Sequence, residues 1–199
     1  MTPVRPYAQP YLEAFERFTL GLPNACDHWL LQQRQAAMDR FAKTGFVAFA
    51  DETWRKTELE QYVQTRAPLS ASPVTAARSL TEIQRHLDCD TLVFVDGRML
   101  PSGSPSAAGA QVIVLDDTQT APEATAFAAW PSQSETPCSL LNAAFLQQHV
   151  LIRVKADVSL PRPVHLIFAQ TSAARCVYPR VHLQLGAHSK AALLETHLR

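Results

Sequence analysis

Three histidines near the C-terminal end, His182, His188 and His197, are the residues with the plainest capacity for chemistry. Imidazoles on neighbouring strands can share a metal ion or ligate a cluster when the strand register brings them together. Strand alternation sets His182 and His197 outward, and their spacing does not fix that register, so solvated strand histidines are the better reading. Cys176, beside Val177 and Tyr178, could face an interface, but an inert small buried side chain is the better reading. Asp116 and Asp117 are adjacent carboxylates at a strand end; acid/base pairs face each other across a cleft, whereas strand neighbours point to opposite faces. Trp54 and Trp130 carry rings suited to stacking on a sugar or base, yet their apolar and alanine-rich surroundings favour core or domain contacts. No residue is therefore assigned a catalytic, cofactor-binding or metal-binding role.

Recurrent catalytic templates are missing. The chain has no G-x-x-x-x-G-K-S/T cradle, no G-x-G-x-x-G turn, no H-E-x-x-H and no G-x-S-x-G elbow. Only 6 glycines occur in 199 residues, too few for loops that wrap phosphates in backbone amides. Lys plus Arg and Asp plus Glu each total 18, so no net field draws the chain to nucleic acid or an anionic membrane. No apolar run reaches the length of a membrane span, and the proline-punctuated start has no signal-peptide core. The 4 cysteines form no C-x-x-C pair and read as free thiols in a reducing cytoplasm.

The elements that position these residues follow from periodicity. Tyr11, Phe15 and Phe18, with Leu12, mark one face of a short helix ended by Gly21 and Pro23. A second helix over 27–44 turns Leu30, Leu31, Ala37, Met38 and Phe41 to one side, with Gln32, Gln33, Arg34, Asp39 and Arg40 largely on the other. Gly45 suits a left-handed stop, with Phe46 packing back on Phe41. Asp51 caps a turn holding Trp54 to Leu59, a loop runs from Pro68 to Pro73, and Ser79-Leu80-Thr81-Glu82 is a capping box for a helix through Leu87. From Thr91 the period switches to two: 91–95 and 98–100 flank Asp96-Gly97, a tight-turn hairpin signal. A strand at 111–115 and a helix over 139–148 follow, then strands at 150–154, 164–169, 180–185 and 190–198, each with one inside face.

The segments Trp54-Arg55-Lys56-Thr57-Glu58-Leu59, Leu92-Val93-Phe94-Val95-Asp96-Gly97-Arg98 and Leu141-Asn142-Ala143-Ala144-Phe145 precede a run from Pro179-Arg180-Val181-His182-Leu183 to Leu194-Glu195-Thr196-His197. In order and spacing they resemble the SufB/SufD family of iron-sulfur cluster assembly proteins, on its SufD side, from about Leu20 onward. Lys56 stands where the family usually has an aromatic residue, and Gln147-Gln148-His149 lacks the glycine often found there.

The resemblance implies a mixed α+β chain, a helical N-terminal region followed by the first coils of a right-handed parallel β-helix. Residues 1–148 would form a mostly helical region with a hairpin near 91–100, and 149–199 the start of the solenoid core. It further implies a non-catalytic, cytoplasmic scaffold subunit that works with SufB and the ATPase SufC and holds no cofactor of its own; the complex as a whole would handle the iron-sulfur cluster and ATP. Family members are longer, so this chain is expected to be an N-terminal portion, with the SufC-binding helices and the cluster-linked cysteine and histidine positions beyond it. An uncovered end of the last strand would invite pairing with a second copy. A general protein-interaction domain and a pectin-degrading type of β-helix enzyme are the competing classes. After Val150 the only acids are Asp157 and Glu195, a poor carboxylate set for the latter.

Overall fold

The computed structural model describes residues 8–22, 28–46, 88–101, 108–116, 136–170 and 176–198. Asp117, Trp130, the turn around Trp54, the loop from Pro68 and the helix opened by Ser79 lie outside them. The chain divides into two compact units, one holding the helices and one holding the strands.

The helical unit contains α1 (Gln9–Leu20), α2 (His28–Thr44) and α3 (Pro137–Ala144). Aromatic rings fill it: Phe15 and Phe18 of α1 meet Phe145 at 5.8 and 5.7 Å, and Tyr11 meets Phe41 at 5.5 Å. α2 stops at Gly45 (φ 53°), and Phe46 folds back edge-on to Phe41 at 5.3 Å, as the sequence predicts. Arg34 departs from prediction. Its residue type assigned it to the wet face, but Arg34, Ala37, Met38 and Phe41 share one stripe at helical spacing, and Arg34 is fully buried. The guanidinium donates to the Leu146 carbonyl from both Nε (3.1 Å) and Nη2, and lies 5.3 Å from the centre of the Phe18 ring.

α3 begins where Thr136 Oγ1 accepts from the Ser139 amide and Pro137 occupies the first turn. It ends four residues short of the predicted limit. Arg34 holds the Leu146 carbonyl, and the Gln148 side chain accepts from the Met99 amide at 2.6 Å, so Gln148 and His149 are drawn into a sheet.

Among the described residues, the second unit holds the strands β1 (Asp90–Val95), β2 (Arg98–Met99), β3 (Ala110–Asp116), β4 (Gln148–Val154), β5 (Val164–Ala169), β6 (Arg180–Leu185) and β7 (Leu193–Leu198). β1 and β2 form the predicted hairpin, with Asp96 (φ 48°) and Gly97 (φ 86°) both left-handed, as a two-residue type I′ turn requires. One sheet runs β2-β1-β5-β7, with β1, β5 and β7 parallel; the other runs β3-β4-β6, with β4 and β6 parallel. From β4 onward each successive strand joins the other sheet, and each pairs in parallel with the strand two further along. The connections stack too: the Asp157 amide donates to Ala187 O at 2.8 Å, the Lys190 amide to Val158 O at 2.9 Å and the Leu160 amide to Lys190 O at 2.9 Å. Asp157 (φ 60°) and His188 (φ 58°) repeat the same left-handed bend in the two connections.

Leu92, Phe94, Val164 and Leu166 from one sheet face Val150 and Ile152 from the other, all buried, with Val181 and Leu183 packed against them. The opposite face of the first sheet buries Val93, Val95, Ile167 and Ala169, with Leu198 packed against them. β4 and β5 are thus buried on both sides, unlike the one-sided strands expected, which accounts for their nearly unbroken apolar runs. β6 and β7 are more open: Leu185, Leu193 and Leu194 are exposed. β7 begins at Leu193, later than predicted, because Lys190 is spent in a parallel bridge to Ser159.

Gly186 sits where the stacked connections touch. A Cβ there would lie 2.3 Å from the Ala156 amide nitrogen, a backbone atom that cannot step aside alone. Gly186→Ala is expected to destabilise the strand unit by about 3 kcal/mol or more through overpacking. Urea denaturation is the measurement; an unchanged midpoint would refute this contact.

Candidate functional site

The three C-terminal histidines do not converge. His182 lies on β6 and His197 on β7, strands of different sheets, while His188 occupies the exposed bend between them. His182 turns away from the inter-sheet core, as alternation predicts, because its neighbours Val181 and Leu183 pack inward. His197 does not. It is in register with Phe168 and Phe94, and its ring stacks on Phe168 at 5.1 Å just as Phe168 stacks on Phe94 at 4.8 Å. The imidazole therefore continues an inward-facing aromatic column at the edge of the sheet, correcting the outward placement. Its side chain is 68 % exposed, and Nε2 lies 3.7 Å from Glu195 Oε2. A cavity of about 280 Å³ opens beside the column, bordered also by Gly97, Val177 and Pro179.

The structure brings out two histidines that sequence reading passed over. His149 is buried on β4, directly opposite Arg180 on β6, and its ring stacks on His182 at 6.2 Å with the planes 16° apart. Stacked rings present faces rather than converging lone pairs, so the two do not form a chelating pair. Desolvation pushes the His149 pKa down from 6.5 to about 3, and the positive fields of Arg180 and His182 add to the effect. Burial likewise lowers Arg180 to about 10. The second, His165, is buried in β5; its Nε2 lies 2.8 Å from Thr196 Oγ1, and Nδ1 has no hydrogen-bond partner among the described residues. Both could have been noticed as lone polar residues inside apolar strand runs.

Other candidates stay apart. Asp116 ends β3 opposite Gln148, and Cys176 makes an isolated bridge before β6. Burial raises the Cys138 thiol pKa, which makes it less reactive. Arg162 ties the start of the first sheet together, donating to Asp90 at 2.5 Å and to Asp88 at 3.2 Å. Among the described residues, no three His, Cys, Asp or Glu side chains are grouped to hold a metal ion. No described helix is long and apolar enough to cross a membrane.

Among the described residues the geometry offers a framework of stacked strands with few reactive groups. The family model described as the SufBD protein N-terminal region matches residues 6–166. The chain belongs to the SufB/SufD family. This is the family that its ordered segments resemble, and the match runs from α1 into β5. Within the SufB/SufD family, the iron-sulfur cluster assembly protein SufD of Escherichia coli (strain K12) is 26 % identical over 194 residues. That alignment takes in 88 % of this chain and 44 % of the relative, so the chain spans less than half the length of the protein it matches. His182, His188 and His197 lie beyond the span of the family model.

The buried neutral His149 makes a pH prediction. Below pH 6.5 the unfolded chain takes up a proton on this ring that the folded chain refuses until about pH 3. Stability therefore falls as the pH drops through that window, by about 1.5 kcal/mol between pH 6.5 and 5. Denaturant midpoints measured across pH should show this slope, and His149→Gln should flatten it; equal slopes in both proteins would refute the assignment.

Proposed function

We propose that this chain is the N-terminal portion of a SufD-like scaffold subunit that acts with SufB and the ATPase SufC in the cytoplasm during assembly of iron-sulfur clusters. The cluster is the cargo of the complex, and this chain contributes shape and surface rather than chemistry. The observation that carries the reading is the family match over residues 6–166, joined to the alignment with a protein named for iron-sulfur cluster assembly. Strands β4 to β7 are proposed to form the opening coils of a parallel β-helix. In support, β4 to β7 alternate between two sheets, pair in parallel with the strand two further on, and stack their connecting turns. The aromatic column of Phe94, Phe168 and His197 has the one-above-another form that stacked coils give.

A chimera tests the role. This chain replaces the matching N-terminal portion of the Escherichia coli relative and is reconstituted with SufB and SufC. Iron and acid-labile sulfide per complex should match the parent; a chimera that assembles but gains no cluster would refute the scaffold role. The chain by itself should give no stoichiometric SufC complex on a sizing column, because the helices expected to bind SufC lie outside it.

A further inference from the structure

The β3-β4-β6 sheet has two faces of opposite character. Val112, Val114, Val150, Ile152, Val181 and Leu183 fill the inner one. Alternation turns Arg153, His182 and Gln184 to the outer one, and the register sets Gln111, Arg153 and Gln184 in one row across the three strands. Among the described residues this outer face carries no carboxylate. Arg153 Nε donates to Gln184 Oε1 at 2.9 Å, which orients the guanidinium and leaves its terminal nitrogens for a further acceptor. The Lys155 amide donates to Gly109 O at 3.0 Å, extending the ladder one residue past β4, so the exposed Lys155 follows Arg153 on the same parity. Neither cation makes an ion pair with a described residue. Asp157 lies past the strand, in the left-handed bend. The positive character reaches His149, whose pKa is lowered first by burial and then by the fields of Arg180 and His182.

We propose that this outer face docks an extended acidic segment of a partner protein, with one carboxylate on Arg153 and the carboxylate two residues further along on Lys155. Side chains of one parity recur at about 6.6 Å along β4, and so do those of an extended segment lying beside it, so the two periods match. The Arg153 fork can take a carboxylate on two nitrogens, whereas Lys155 is a point charge that accepts a range of approaches. Gln111 and Gln184, flanking Arg153, add neutral donors and acceptors for the segment's own backbone. An apolar segment would desolvate Arg153 without compensation. Nucleic acid is the poorer occupant, because the chain balances 18 acidic against 18 basic side chains and the described outer face has no Phe, Tyr or Trp on which a base could stack. This docking does not depend on the scaffold role.

Fluorescence anisotropy of the 199-residue chain with a labelled peptide of alternating glutamate and threonine tests the docking. The peptide should bind saturably at low salt and weaken as salt rises, and its counterpart with lysine for glutamate should not bind. Arg153→Glu and Lys155→Glu should each weaken binding by about tenfold or more, and the two together should turn the preference to the lysine peptide. Lys43→Glu, in the exposed last turn of α2, controls for net charge and should leave the affinity unchanged. The Lys155 side chain makes no hydrogen bond with a described residue, so where Arg153→Glu unfolds the sheet, Lys155→Glu decides. Absence of saturable binding, indifference to Lys155→Glu, an equal loss in Lys43→Glu, or tighter binding of a single-stranded oligonucleotide would each overturn the docking site.

Discussion

The strand unit depends on one contact: Leu92, Phe94, Val164 and Leu166 of one sheet pressed face to face with Val150 and Ile152 of the other. These buried aliphatic and aromatic groups supply the hydrophobic driving force that offsets the entropy of ordering strands so distant in sequence. Parallel pairing makes that entropy cost large, because β1 reaches β5 and β4 reaches β6 only through long connections. The stacked turns after β4 and β6, and the close approach at Gly186, then hold the layers in a single register.

Polar groups in this framework are positioned more by packing than by reactivity. Arg34 is buried to cap a carbonyl and rest on a ring, and His149 and His165 to fill strand interiors, while the partly exposed Arg162 clasps two carboxylates. A buried imidazole or guanidinium with such partners costs desolvation and returns a fixed geometry. This economy agrees with a family whose matched relative is named for assembling a cluster, and with the proposed role of a scaffold that shapes a complex.

Much of the local structure was legible in the chain. Asp96-Gly97 announced its hairpin and Gly45-Phe46 the end of α2, since both need left-handed backbone that few residues accept. Lys190 belied its reading as strand, and α3 stopped early, because a bridge to Ser159 and a bond from Met99 to Gln148 come from residues remote in sequence. Of the site, His182 was read correctly and His197 incorrectly. Alternation was counted alike for both, yet which parity faces the core differs between strands and is set by the neighbouring strand.

The sequence by itself determined the family, through the order of its segments, and the places where the backbone must bend. Tertiary structure alone decided which histidines are buried, which two strands share a sheet, and that Arg34 belongs to a core. The physical reason is range. Turn and cap preferences are settled within a few residues, whereas desolvation, stacking and strand register depend on groups that meet only after the chain has folded.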